Sequence, residues 1–235
     1  LLHTHVVTAN LTRTVDGRWR TLDARPVYEH ARPAGVLYQA HLRHLLQERL
    51  GVAWEEVHHG WAEVRGVPTD VIRAFSKRRD EIEEIVAEAG YSSASALQAA
   101  TLASRRAKDR DTDPLRLLDR WRAEADALGF DADAIARCLG RVGGADLDRE
   151  ALLDALASPE GLTKHAASFT RGEVVEAIAE RCGAVLDARD VDDLADRFLA
   201  SARVVPISAS GAASTTRVTT SGRVMSTSGT SHTVA

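Results

Sequence analysis

The sequence predicts an α+β protein: a partial antiparallel sheet with helices, then a mostly α-helical segment and a disordered tail. The sheet is indicated by a β-branched, apolar run over Leu2–Leu11, a tight-turn dipeptide at Asp16-Gly17, and a second extended stretch over Arg18–Leu22. Apolar residues then recur at helical spacing along most of the chain as far as residue 207. From Ser208 onward Ser, Thr, Gly, Ala and Val dominate, and such a segment buries too little apolar surface to offset its ordering entropy.

The first helix is predicted over Pro26–Leu50, where Pro33 should break or kink the early turns and Gly51 should end the helix. A short hairpin over residues 54–64 is expected to turn at His58-His59-Gly60. An amphipathic helix over Thr69–Ala89 comes next, followed by an alanine-rich helix to about Lys108.

Further helices are predicted in the second half of the chain. Asp113-Pro114 opens a helix whose core face is Leu118, Trp121 and Leu128. Thr170 and Glu173 form a capping box at the start of a helix that reaches Cys182. The remaining elements are short helices over Asp133–Leu139, Asp148–Ala157 and Asp190–Ala200, and a strand over Arg203–Ile207. Two short helices and a strand suit a winged-helix-like unit, which would either contact DNA or serve for packing; the sequence favours packing.

Composition narrows the class of protein. The 235 residues are 44% hydrophobic and 27% charged, which fits a globular protein of one or two domains. The net charge of −4 gives no global basic field, and 5% aromatic residues argue against a stacking-rich binder of single strands of the OB-fold type. Cys138 and Cys182 have no zinc-site spacing and are predicted as buried free thiols. No signal peptide or long apolar run is present in the sequence. We therefore predict that the protein does not contact a membrane and that it is located in the cytoplasm.

Two features of the sequence suggest binding chemistry. His3 and His5 lie two residues apart in a predicted strand, so both imidazoles would lie on one face and could bind one divalent metal ion. The alternative is a polar sheet face with no metal. Local basic residues stand out against the acidic net charge, and surface solvation is the alternative to DNA contact. The candidates for phosphate contacts are Arg18, Arg20, Lys77, Arg78 and Arg79.

Several separate blocks of the sequence, in this order, resemble the relaxase domain of TrwC-type (MobF) conjugative relaxases. The similarity runs from Leu1 to about Lys108 and is weaker in Leu162–Thr170, which is similar to the stretch that joins the relaxase to its helicase partner. The blocks that carry the resemblance are Leu2–Asn10, Asp16–Asp23, Ala24–His30, Ala34–Arg43, Gly66–Pro68, Ala74–Arg79 and Glu81–Glu83.

The resemblance implies a fold of the histidine-triad type and metal-dependent nicking and strand transfer on single-stranded DNA at an origin of transfer. It also makes other conjugation proteins candidate partners. His3 and His5 match two of the family's three metal-binding histidines, and the divalent metal would be Mg, Mn or Zn. The third histidine and the nucleophilic tyrosine lie upstream in the family. Tyr28, Tyr38 and Tyr91 do not match the nucleophile's motif, and each is interpreted as a packing residue. No catalytic residue is therefore assigned, and the chain is expected to be a relaxase fragment that is inactive alone.

The expected organisation is the C-terminal part of a relaxase domain over residues 1–110, a helical segment leading into a helicase region over 111–207, and a disordered tail over 208–235. No G-x-x-x-x-G-K-[ST] loop is present, so no ATP site is predicted. The alternative to a relaxase fragment is a non-catalytic helical module that binds DNA or a protein, in which His3 and His5 would be incidental.

Overall fold

Helices and short antiparallel strand pairs make up the chain, which confirms the α+β class. The computed structural model describes residues 6–76, 82, 84–87, 113–141, 146–207, 217–218, 224–225 and 231–234. The contacts divide the chain into two units, which are described separately. The first unit comprises residues 1–42, 59–61 and 146–235, and the second comprises residues 43–58 and 62–145.

The first unit contains the predicted N-terminal hairpin in a shorter form. β1 (Thr12–Arg13) pairs with the antiparallel β2 (Trp19–Arg20). Gly17 adopts a φ of +79° in the turn between them, a conformation that glycine tolerates without strain. The predicted strand over Leu2–Leu11 is wrong for residues 6–11, which are not in a strand, and residues 1–5 lie outside the described residues. Val6 and Val7 are almost fully exposed, so β-branched residues alone do not form a strand where no partner strand pairs with them.

The helix predicted over Pro26–Leu50 is interrupted, as its proline indicated. α1 (Arg25–Glu29) ends at His30, and α2 (Ala31–Leu50) begins immediately afterwards. Pro33 has no backbone N–H to donate to Glu29, so a continuous helix would lose a hydrogen bond at that place. Gly51 follows α2 with a φ of +65°, which confirms its predicted position at the helix end.

Among the described residues, the second unit contains α3 (Thr69–Phe75), α4 (Pro114–Ala127) and α5 (Ala132–Cys138). The helix predicted over Thr69–Ala89 is interrupted, because α3 ends at Phe75; residues 82 and 84–87 are helical, as predicted. The predicted alanine-rich helix lies outside the described residues. The hairpin predicted over residues 54–64 is present as isolated bridges, such as the one between Trp54 and Val64, and as backbone hydrogen bonds such as Glu55 N–H to the Glu63 carbonyl at 2.9 Å.

The C-terminal half of the first unit forms α6 (Arg149–Ala157), α7 (Arg171–Arg181) and α8 (Ala188–Leu199). Each begins at a side chain that accepts a backbone N–H of the first turn, which satisfies one otherwise unpaired donor. The three capping residues are Asp148, Thr170 and Asp187. At α7 the Glu173 carboxylate also accepts the Thr170 N–H at 2.7 Å, which confirms the predicted capping box.

A cluster of buried apolar residues holds α6, α7 and α8 together. Leu153 and Leu156 of α6, Ile178 of α7 and Phe198 of α8 are fully buried in it. Phe169, just before α7, packs against Phe198 with 6.2 Å between ring centroids. Cys138 in the second unit and Cys182 in the first are buried and form no disulfide, as predicted.

A strand from the predicted disordered tail completes this part of the first unit. β6 (Ser231–Val234) pairs with the antiparallel β3 (Val204–Ile207), and its residue His232 forms a bridge to Phe169. The order α6, Phe169, α7, α8, β3, β6, with β6 between Phe169 and β3, is similar to the order of elements in a winged helix. The prediction of disorder over 208–235 is therefore wrong for Ser231–Val234, where Val234 packs against the core. Between β3 and β6 the described residues also include the pair β4 (Arg217–Val218) and β5 (Val224–Met225).

Proline inside a sheet normally removes a hydrogen bond, but Pro206 of β3 does not. Pro206 lies opposite His232 in the register of β3 and β6. The backbone N–H and C=O of His232 both bond to Phe169 on the other side, at 2.8 and 2.7 Å. In an antiparallel pair the backbone N–H and C=O of one residue point to the same neighbouring strand. Since both groups of His232 bond to Phe169, neither needs a hydrogen-bond partner on Pro206. Within the part of the chain that the structure describes, no helix is both long and apolar enough to cross a membrane.

Candidate nucleic-acid interface

The hairpin β1–β2 presents basic residues around a well-defined turn. Thr14 N–H donates to the Arg18 carbonyl at 2.9 Å, and Gly17 N–H donates to the Thr14 carbonyl at 2.8 Å. The Thr14 hydroxyl donates to the Asp16 carboxylate, and this hydrogen bond lowers the pKa of Asp16 below its ordinary value. The turn therefore fixes its one carboxylate in the charged form.

Two of the predicted phosphate-binding residues, Arg18 and Arg20, lie on this hairpin and are exposed. Arg18 Nε is 3.6 Å from the Asp16 carboxylate, a weak pair on an open surface. Arg20 and Arg13 form no ion pair with any other described residue, and Arg13 donates to the Gly17 carbonyl at 3.3 Å. Between the two predicted arginines, Trp19 leaves 68% of its surface exposed.

Trp19 and Arg13 were not among the predicted contact residues. The register pairs Arg13 with Trp19 across the hairpin. The sequence signal was the triplet Arg18-Trp19-Arg20, an aromatic residue between two cations. A large apolar side chain that stays exposed beside arginines is a common feature of surfaces that bind single strands, since bases stack on the ring and phosphates pair with the cations.

The other predicted site residues fall outside the described part of the chain. These are the metal ligands His3 and His5 and the basic residues Lys77, Arg78 and Arg79. Among the residues that the structure does describe, no group of three or more His, Cys, Asp or Glu side chains is placed to hold a metal ion. The metal site thus remains a prediction that rests on the two imidazoles.

Three other histidines have local structural positions in the described part of the chain. His41 Nδ1 accepts the Ala188 backbone N–H at 3.3 Å, which ties α2 to the start of α8 within the first unit. His58 Nε2 is 4.0 Å from the Glu56 carboxylate at the surface. His59 has a φ of +52° in the predicted turn, so it is a loop residue. His41 therefore acts as a hydrogen-bond acceptor within the fold.

The tyrosines do not pack as the sequence suggested. Tyr28 on α1 is 79% exposed and Tyr38 on α2 is 61% exposed, so the interpretation of both as packing residues is wrong. Their helical positions put the ring on an outer face. Tyr91 lies outside the described residues.

Most arginines between residues 149 and 203 are already paired with carboxylates. Arg171 at the start of α7 binds Asp196 at 2.7 Å and Asp192 at 3.0 Å, both on α8. The Arg171 guanidinium lowers the pKa of Asp196, and the carboxylate in turn raises the pKa of Arg171. The other pairs of this network are Arg149–Asp190, Arg197–Glu150, Arg203–Glu150 and Arg203–Asp154. α8 itself carries more carboxylates than cations, so this winged helix presents no basic reading helix.

Part of the chain matches a known protein family. Residues 1–128 match the family model described as TrwC relaxase. No curated protein matches the chain. It is similar to two solved structures, described as "Conjugative Relaxase TrwC in complex with OriT Dna. Metal-free structure." and "The structure of TrwC complexed with a 27-mer DNA comprising the recognition hairpin and the cleavage site".

Identity to each of these structures is 33%, with a TM-score of 0.47. Each match covers 52% of this chain and 44% of the other, so the chain spans less than half the length of these relatives. The family model, by contrast, covers more than half of the 235 residues. On that match, the chain belongs to the TrwC relaxase family.

Proposed function

We propose that this chain binds single-stranded DNA at an origin of transfer, as part of a conjugative relaxase. The observation that carries the proposal is the exposed hairpin with Arg13, Arg18, Trp19 and Arg20, which lies inside the segment that matches the family. Related TrwC structures are described as complexes with OriT DNA, which supports DNA as the ligand.

The charge pattern supports this choice of surface. A cation already bound to a carboxylate gains little from a phosphate, because the existing pair must first be broken. Arg171 and Arg203 are each held by two carboxylates, whereas Arg20 has no ion-pair partner among the described residues. Phosphate contacts and counterion release are therefore expected at the hairpin, and not at α7 and α8.

We further propose that His3 and His5 supply two imidazole ligands to a divalent cation, Mg, Mn or Zn. When bound, such an ion polarises a phosphoryl oxygen and stabilises the charge that develops on it. Two neutral imidazoles suit two positions of such an ion, and a closed site needs further ligands. The 235 residues contain no tyrosine in the family's nucleophile motif, so a chain of these residues alone is expected to bind DNA without nicking it.

The helical part from residue 146 to 207 has a different proposed role. Most of its arginines are paired with carboxylates, and its apolar faces are buried within the first unit. We assign it to packing, as a unit between the relaxase part and a helicase region, in line with the weaker resemblance of Leu162–Thr170. The proposed location of the whole protein is the cytoplasm.

Salt titration of DNA binding tests the hairpin. The probe is a fluorescein-labelled single-stranded oligonucleotide, and anisotropy is measured over a range of salt concentrations. Each lost phosphate contact should reduce the slope of log K against log salt by about 0.7 for single strands. The double variant Arg18→Gln/Arg20→Gln should therefore lower the slope by about 1 to 1.5 and weaken binding at low salt.

The matched control is Arg171→Gln, which removes an arginine that is already paired with carboxylates. This variant should bind DNA with the slope of the unmodified chain. If Arg171→Gln lowers the slope while the hairpin variant leaves it unchanged, DNA binds at the C-terminal helices and the proposal is wrong.

A further inference from the structure

The second unit contains a cavity that the hairpin does not explain. It has a volume of about 390 Å³ and is lined by Ala74 and Phe75 at the end of α3 and by Arg120, Trp121 and Glu124 of α4. This volume is in the lower part of the range for small-molecule sites. The sequence predicted Trp121 as part of a core face with Leu118 and Leu128, but both leucines are exposed and Trp121 is only half-buried. The apolar stripe of α4 is therefore incompletely covered by described residues.

Two aromatic rings line this cavity. Phe75 and Trp121 both belong to the lining, and each residue is half-buried. An indole and a phenyl side chain in the lining of one cavity suit a flat, aromatic ligand, because stacked rings gain contact energy in addition to the apolar area they bury.

The basic residues in and beside the cavity favour a ligand with phosphates: Arg120 lines it, and Arg116 is a neighbour of Arg120 outside the lining. Arg116 lies one helical turn before Arg120 on α4, so both guanidinium groups are on the same side of the helix. Both side chains are exposed, and neither forms an ion pair with another described residue. Glu124, one turn beyond Arg120, adds a carboxylate to the lining of the cavity.

We propose that this cavity binds one unstacked base of single-stranded DNA. Trp121 and Phe75 stack against the base, and Arg116 and Arg120 pair with the adjoining phosphates. A base that is paired inside a duplex cannot enter a cavity, so the site selects single strands. The inference rests on the proposed DNA-binding function and adds a second contact region, in a different unit from the hairpin.

Photocrosslinking tests the site in the unmodified chain. Oligonucleotides with a single 5-iodouracil at successive positions are bound and irradiated, and crosslinked peptides are identified by mass spectrometry. A base stacked in the cavity should crosslink to Trp121 or Phe75. Efficient crosslinks confined to Trp19 or to other parts of the chain would overturn the proposal.

Substitutions at Trp121 separate stacking from apolar packing. Trp121→Leu keeps an apolar side chain without an aromatic face, whereas Trp121→Tyr keeps the face. Trp121→Leu should weaken binding about tenfold, equivalent to about 1.4 kcal/mol, and Trp121→Tyr should keep most of the affinity. Trp61→Leu, at an exposed tryptophan of the first unit, should bind like the unmodified chain.

The two proposals fail in different ways. If the unmodified chain binds no single-stranded DNA, the proposed function is wrong and the cavity proposal falls with it. If the unmodified chain binds and the Arg18→Gln/Arg20→Gln variant weakens binding, but Trp121→Leu binds unchanged, only the cavity proposal is wrong. Thermal unfolding of each variant shows whether a loss of binding comes from a loss of fold.

Discussion

Phe169 and His232 exchange both of their backbone hydrogen bonds. Phe169 N–H donates to the His232 carbonyl at 2.7 Å, and His232 N–H donates to the Phe169 carbonyl at 2.8 Å. Their rings are stacked with 6.2 Å between centroids and 23° between planes. The Nδ1 atom of His232 is buried and has no hydrogen-bond partner. Both backbone groups of His232 are thus hydrogen-bonded, while its side chain contains one buried polar atom without a partner.

Substitution of His232 should therefore act in opposite directions according to what is removed. His232→Phe keeps the stacked ring and removes the unpaired nitrogen, so the free energy of unfolding should stay the same or rise. His232→Pro removes the N–H and leaves the Phe169 carbonyl without its donor, which should cost about 1–3 kcal/mol. Urea denaturation of both variants measures the difference. Equal stability of the two would show that this strand pair contributes little.

Gly35, inside α2, and Gly51, just after its end, form a matched pair for a stability test. Gly51 has a φ of +65°, and a Cβ there would lie 2.7 Å from the Gly140 Cα and 2.8 Å from the Arg141 nitrogen. Gly51→Ala should destabilise the second unit by more than about 1 kcal/mol, since backbone atoms must move. Gly35, inside α2, has nothing within 4 Å of an added Cβ, so Gly35→Ala should stabilise by about 0.5–1 kcal/mol.

Thermal unfolding of both variants tests whether Gly51→Ala lowers and Gly35→Ala raises the stability. Each variant serves as the control for the other, because both changes add the same methyl group. A stabilising Gly51→Ala would mean that the close approach of residues 51 and 140 is not present in solution.

The Arg171–Asp196 ion pair should make stability depend on pH. The pKa of Asp196 is lowered in the folded chain by its hydrogen bond to Arg171, from an ordinary value of 3.8. A lowered pKa gives a stabilisation that is present above the unfolded value and is lost as pH falls through the folded value. Because the Asp196 side chain is mostly exposed, Asp196→Asn should cost at most about 1 kcal/mol near neutral pH.

Urea denaturation of Asp196→Asn near neutral pH and well below pH 3.8 measures this effect. The stability difference should disappear in acid. Asp193→Asn, on the same exposed side of α8 but without an ion pair to another described residue, is the control and should show a smaller difference at neutral pH. Equal losses in the two variants would indicate a general charge effect on α8.

The proposed metal site predicts weak binding by the two imidazoles. Isothermal titration with Mn²⁺ or Zn²⁺ should give a low affinity that His5→Ala abolishes, because a single imidazole does not hold the ion in place. His58→Ala, at an exposed loop histidine, should leave the titration unchanged. Binding that persists in His5→Ala would remove His3 and His5 from the metal site and favour the non-catalytic alternative.

Local sequence signals predicted the parts of this fold that depend on local chemistry. The Asp16-Gly17 turn, the break near Pro33, the end at Gly51 and the capping box at Thr170 are all present, because each depends on residues within one turn of chain. The extent of strands and helices was less predictable. Val6 and Val7 have strand propensity but are exposed without a strand partner, and α3 stops at Phe75 although apolar periodicity continues.

The candidate site was partly visible in the sequence. Arg18 and Arg20 were predicted and lie on the exposed hairpin, but the exposure of Trp19 depends on how the chain packs and has no local signature. The cavity at Phe75 and Trp121 joins residues far apart in sequence, so only the fold could bring them together. β6 was missed because a Ser- and Thr-rich tail has low burial on average, although one His-Thr-Val stretch in it finds two strand neighbours.

The position of β6 after a long, low-complexity connection has a consequence for the evolution of this chain. β3 and β6 are joined through residues 208–230, and the entropic penalty of closing such a loop grows only with the logarithm of its length, about 0.6 kcal/mol for each doubling. Insertions into this connection should therefore be tolerated as long as Ser231–Val234 reaches Phe169. A peptide or a whole second domain inserted into this connection should therefore leave the buried residues of α6, α7 and α8 unchanged.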